Sequence, residues 1–119
     1  MELTIDISAA AGYLRVSARG PLSRAAAEHL GERMRAELSS QPVARVLVDV
    51  SALSGEIPEG DLYELGARMA RTYVGPARLA ILDVDGHTDG FFETVARNRG
   101  GNVATFGSEA DAIAWLTAP

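Results

Sequence analysis

"VARVLVDVSALSGEIPEG", Val43–Gly60, is the stretch on which the fold turns. Its first eight residues, Val43–Val50, are dense in β-branched side chains. That is the composition of a central strand covered on both faces. Serine, glycine and proline then interrupt the apolar run. From Leu62 the spacing becomes helical: Leu62, Leu65, Met69 and Tyr73 fall on one stripe, which Gly75–Pro76 end. A doubly covered strand followed by a helix is the unit from which parallel sheets are built.

The same unit recurs downstream. "ARLAILDV" (Ala77–Val84) reads as a further buried strand. Phe92, Val95 and Ala96 mark a third helix, stopped at Gly100–Gly101. "NVATF" is a short last strand. Ser108, with Asp111 three residues on, forms a capping box for a final helix anchored by Ile113 and Leu116, with Trp115 over the rim of the core. Upstream, "ELTIDIS" and "YLRVSAR" alternate apolar and polar residues and are joined by "AAAG", the pattern of an antiparallel hairpin. Pro21 suits the first turn of a helix striped by Leu22, Ala26, Leu30, Met34 and Leu38, ending near Ser39–Pro42. The order is ββαβαβαβα. Right-handed crossovers turn it into a mixed, mostly parallel sheet of about five strands covered by four helices, an α/β fold. Leu14, Val16, Leu30, Met34, Leu47, Ile81, Val95 and Leu116 are expected in the core.

Composition narrows the classes. At 119 residues the chain reads as one domain over 1–119, long enough to bury about two thirds of its unfolded surface without staples. Apolar residues make up 47%, a globular rather than a disordered value. There is no cysteine, which removes disulfides, thiol catalysis and thiolate metal sites together and suits a cytoplasmic setting. No apolar run approaches the ~20 residues that span a bilayer, and the acidic, alternating start "MELTIDISAA" is not that of a signal peptide. All eleven basic residues are arginine, a compositional bias; they are spread along a chain of net charge −5 rather than gathered into a nucleic-acid footprint.

With these elements in place, the chain resembles the STAS domain of bacterial anti-sigma-factor antagonists over essentially its whole length. "VLVDVS" before a helix matches that family's central strand, with Asp49 and Ser51 at its acidic and small polar positions. "FFETVARNRGGNVATFGSEADAIAWL" looks more specifically like the SpoIIAA-like (STAS/SEC14) group of small uncharacterised bacterial proteins. The antagonists carry an Asp-Ser-Ser/Thr-Gly motif at the start of the second helix, where a hydroxyl is phosphorylated. The matching positions here are Ile57, Pro58, Glu59 and Gly60, so only the glycine is kept. The resemblance therefore implies the SpoIIAA-like fold without phosphorylation control at the family position.

The candidate site residues lie in two loops at the carboxyl ends of the strands, where open parallel sheets place their ligands. The first loop holds Ser51, Ser54, Glu56, Glu59 and Asp61. The three acids sit where a helix dipole favours them, by about 0.3–1 kcal/mol each. They also make this helix start a poor place for an anion. The second is "DVDGHTDG", with Asp85, His87 and Asp89. A calcium-loop register from Asp83 puts Thr88 where glycine is needed and Thr94 where a bidentate glutamate is needed. Zinc would want ligands that are not there. The loop reads as a polar turn and pocket rim, with Thr88 or Asp89 capping the third helix. Arg97 and Arg99 in "RNRGG" suit the negative end of that helix, and His29 reads as a half-exposed surface residue. No nucleophile elbow, phosphate loop or dinucleotide fingerprint is present, and neither histidine sits near a serine pattern.

The reading of the sequence is thus a non-enzymatic, cofactor-free, cytoplasmic regulatory or protein-interaction module. The 51–60 loop and the following helix are its expected partner surface, self-association into a homodimer is allowed, and nucleic acid and the membrane interior are not expected partners. The alternative is a small-ligand or lipid-binding domain of the SEC14-like type. An apolar cavity would favour the alternative, and a flat apolar patch on the second helix would favour the first.

Overall fold

The hydrophobic periods convert into nine elements. In the computed structural model, which describes residues 3–86 and 90–119, these are β1 (Thr4–Ala10), β2 (Tyr13–Pro21), α1 (Arg24–Leu38), β3 (Arg45–Ser54), α2 (Glu59–Thr72), β4 (Arg78–Leu82), α3 (Phe91–Asn98), β5 (Val103–Phe106) and α4 (Glu109–Thr117). β1 and β2 form the antiparallel hairpin, with Ala10 opposite Tyr13 across a two-residue turn in which Gly12 takes φ 88°. β2, β3, β4 and β5 are parallel, and the strands lie side by side in chain order.

That sequential order has a consequence for the layers. Each right-handed crossover steps the same way along the sheet, so α1, α2 and α3 all fall on one face. Leu30, Met34 and Ala96 from these helices, with Tyr73 just after α2, pack there on Leu14, Val16, Val46, Val48, Leu79 and Ile81. The alternate strand residues, Leu47, Ala80 and Leu82, face the other way and meet Ala112 and Leu116 of α4. Each of the eight expected core residues is buried. α4 is docked by two strand arginines at its carboxyl end. Arg78 donates to the carbonyls of Trp115 and Ala118, and Arg45 to those of Leu116 and Ala118, satisfying groups a helix terminus leaves without partners.

Three boundaries differ from the sequence reading. Pro21 ends β2 instead of opening α1; it lies beyond Arg19, which pairs with Thr4 at the start of β1, and it stands opposite Ser54 at the end of β3. The helix starts at Arg24, after Pro21 and Leu22, because the Ser23 hydroxyl accepts from the Ala26 N–H. Ser51 and Ser54 belong to the end of β3 rather than to a loop, and Pro58 directly precedes α2. Between Ser17–Asp49 and Arg19–Ala52, β3 advances one residue more than β2. This bulge shifts the side-chain alternation, so the helical face receives Val46, Val48 and Val50, and then Leu53. The caps read at Ser108, whose Oγ accepts from Asp111 N, and at Gly100, with φ 86°, are as expected. Among the described residues no helix is long and apolar enough to cross a membrane.

Candidate functional site

β3 runs on past its pairing with β4 at the carboxyl edge of the sheet and stays beside β2 to Ser54, whose carbonyl accepts from Leu22 N (2.7 Å). The chain then turns at Gly55, whose φ of 84° suits glycine. It buries Ile57 and enters α2 at Glu59. Where α2 comes down is set by α3. A Cβ on Gly66 would lie 3.1 Å from the Phe92 carbonyl oxygen and from the Val95 side chain, so the two helices touch backbone to side chain. Drawn towards α3, α2 stands off from α1, and the two meet sparsely.

The space left between them is a cavity of about 550 Å³. Val48, Val50 and Ile81 of the sheet form its floor. Leu30 and Met34 of α1 face Leu65 and Met69 of α2 across it. The segment 55–59 roofs it, with Glu56 and Glu59 exposed where it meets solvent. At its other side stand Phe92, Glu93 and Thr105. Glu93 accepts a hydrogen bond from the Thr105 N–H and lies 3.7 Å from Arg97.

Ion pairs rather than side-chain packing bridge the gap between α1 and α2. Arg24, at the start of α1, donates to Glu28 on its own helix (2.9 Å) and to Asp61 (2.6 Å) and Glu64 (2.5 Å) on α2. Hydrogen bonds to Glu28, Asp61 and Glu64 hold its guanidinium pKa above the ordinary arginine value. Arg68 of α2 lies 3.9 Å from Glu28.

A second polar group forms on the α4 face. Arg15 reaches Glu109 at 2.7 and 3.3 Å and lies 3.6 Å from Asp49. The hydrogen bond from Arg15 pulls the Glu109 carboxyl below its ordinary pKa. Ser51 is engaged structurally: its N–H donates to Asp49 Oδ1 (3.0 Å) and its hydroxyl accepts from Val84 N (2.9 Å), joining β3 to the loop after β4.

The structure thus scatters the residues that the sequence put together. Glu56 and Glu59 line one cavity and make no ion pair with a described residue. Asp61 sits in the Arg24 clamp. Ser54 donates to Gly20 O (3.3 Å) at the surface. Asp85 is exposed in the loop after β4. His87, Thr88 and Asp89, and with them the helix-capping role read for Thr88 or Asp89, lie outside the described residues; Gly90 directly precedes α3. Arg99 stacks 5.0 Å from the centre of the Tyr63 ring and donates to its hydroxyl, a helix-to-helix contact. His29 is exposed rather than half-exposed. The sequence reading missed Glu93, Thr105 and the paired apolar walls as site residues. Its only hint was the pair of glycines, Gly31 and Gly66, inside neighbouring helices, since an interior helix glycine marks a close approach.

Among solved structures, the chain is similar to an uncharacterized protein of the DUF3478 family with a SpoIIAA-like fold from Shewanella loihica PV-4. The TM-score is 0.61 at 23% sequence identity, covering 97% of this chain and 94% of that one. The fold is SpoIIAA-like. No family model matches the sequence, and no curated protein matches it.

Proposed function

We propose that this SpoIIAA-like domain is a non-catalytic binding module that takes a small, largely apolar ligand between α1 and α2. The observation that carries the reading is the cavity of about 550 Å³ with its floor and walls of Val48, Val50, Ile81, Leu30, Met34 and Met69. Ligand pockets run to about 300–1,000 Å³ and are apolar with a few polar groups. Protein docking through α2 has less behind it. Tyr63 is the one large exposed apolar side chain on that helix, at 45%, and Arg99 stacks on its ring. The other large exposed apolar residues, Val43, Val74 and Val84, lie in three separate connecting segments, the scatter ordinary for a surface. The partner surface expected at 51–60 shares the roof of the cavity, so a regulatory role would act through the same loop.

Calorimetric titration of the full chain with decan-1-ol tests the reading. One saturable site is expected. Gly31→Leu should abolish it, with a cooperative melting curve checking the fold, because Gly31 and Met69 both line the cavity and a side chain at Gly31 would extend from a point already in contact with Met69. Absence of saturable binding by any apolar probe in the wild type would overturn the reading.

A further inference from the structure

We infer that the ligand of this cavity carries a cationic end, a protonated amine on an apolar body, and that anionic amphiphiles are excluded. The inference rests on the ligand-binding reading above and deepens it. Its basis is the difference between what lines the cavity and what crowns it. Inside, the surfaces of the sheet, α1 and α2 are apolar. Three carboxylates, Glu56, Glu59 and Glu93, border the space, and among the described residues no arginine or histidine lines it.

The four acids near the opening are not equivalent. Asp61 is held by Arg24 at 2.6 Å and does not line the cavity. Glu93 is partly committed, to the Thr105 N–H and to Arg97. Glu56 and Glu59 lie on the roof, exposed and without an ion pair to a described residue. One local feature favours an anion: the amino end of α2 points here, and a helix terminus carries roughly half a positive charge. Two full negative charges outweigh that half charge. A fatty carboxylate entering tail first would bring its head against Glu56 and Glu59. An ammonium in the same place would meet two acceptors of opposite charge while its chain lay along Val48, Ile81 and Met34. An alcohol would gain the burial but not the charge. The order of affinity expected for equal chains is amine over alcohol over carboxylate.

The test compares decylamine, decan-1-ol and decanoate by calorimetry at pH 7 on the full chain. The amine should bind about tenfold or more tighter than the alcohol, and decanoate weaker than the alcohol. The advantage should shrink between about 20 mM and 0.5 M salt, because exposed charges are screened over distances of a few ångströms at high salt. In Glu56→Gln/Glu59→Gln, the ratio of amine to alcohol affinity should fall towards one. Both residues are exposed, and a melting curve superposing on that of the wild type checks that the variant folds. If the alcohol binds and the amine binds no tighter, or if the ratio survives the double substitution, this inference falls while the cavity reading stands. If none of the three probes binds, both fall.

Discussion

Along its seam with α3, helix α2 presents Gly66 to the Phe92 carbonyl and to Val95, leaving a Cβ only 3.1 Å of room. Along its seam with α1 it presents Met69 to Gly31, where a Cβ would find Met69 Cε at 3.8 Å, an ordinary contact with a flexible end. The first seam is closed by dispersion between atoms at their contact distance. The second is spanned at its edge by Arg24 and Arg68 and holds the cavity behind them. The difference teaches why one helix can be both scaffold and wall. Packing against α3 fixes the position of α2, so its other side can pack loosely against α1.

Alanine at three glycines sharpens the comparison. The largest effect is expected at Gly101, where the α2–α3 seam meets the start of β5. A Cβ there would lie 2.7 Å from Ala70 Cα and 3.0 Å from the Ala96 carbonyl, and neither belongs to a flexible side chain. Gly101→Ala should destabilise by about 3 kcal/mol, at the upper end of overpacking costs, seen as a lower midpoint in chemical denaturation. Gly66→Ala should cost about 1 kcal/mol by the same measurement, since helix propensity returns about that much of the steric cost. Gly31→Ala should have the opposite sign. It gains helix propensity at no steric cost and should stabilise by about 0.5–1 kcal/mol. If Gly31→Ala destabilises as much as Gly66→Ala, the α1–α2 seam is as tight as the other, and the contrast drawn here is wrong.

The smallest expected effect concerns charge. Arg24→Gln removes the fork that joins Glu28 to Asp61 and Glu64. Exposed ion pairs contribute little to global stability, so the denaturation midpoint should barely move. Amide hydrogen exchange in the first turns of α1 should nevertheless quicken, while exchange in α3 stays unchanged. Raising the salt should reproduce that pattern in the wild type, because it screens ion pairs and leaves steric contact untouched. Faster exchange in both helices would mean that the two seams open together.

Much of this was written locally in the chain. Leu62, Leu65, Met69 and Tyr73 repeat at helical spacing because the helix itself sets that period, and Ser108 and Gly100 act on backbone within three residues of themselves. Pro21 and Ser51 were harder. Proline fits the end of a strand as well as the start of a helix, and only the pairing of Pro21 with Ser54 decides between them. Ser51 reads as a loop serine until Val84 is brought to its hydroxyl.

The candidate site divides in the same way. The acidity of the 51–60 segment and the lack of a hydroxyl at Pro58 and Glu59 are facts of the sequence, and they leave nothing to phosphorylate at the position where the resemblance would place it. The order of strands and helices, the apolar stripes and the two-faced burial of β3 were likewise legible, because each follows from a period or a composition within one element. The cavity was not. It depends on how far α1 stands from α2, which is set by Gly66 closing on Phe92 and Val95, and by Arg24 reaching across to Asp61 and Glu64, about forty residues along the chain. A gap is a relation between surfaces that no single element carries, so the tertiary structure alone decided that these apolar stripes would line a space instead of filling it.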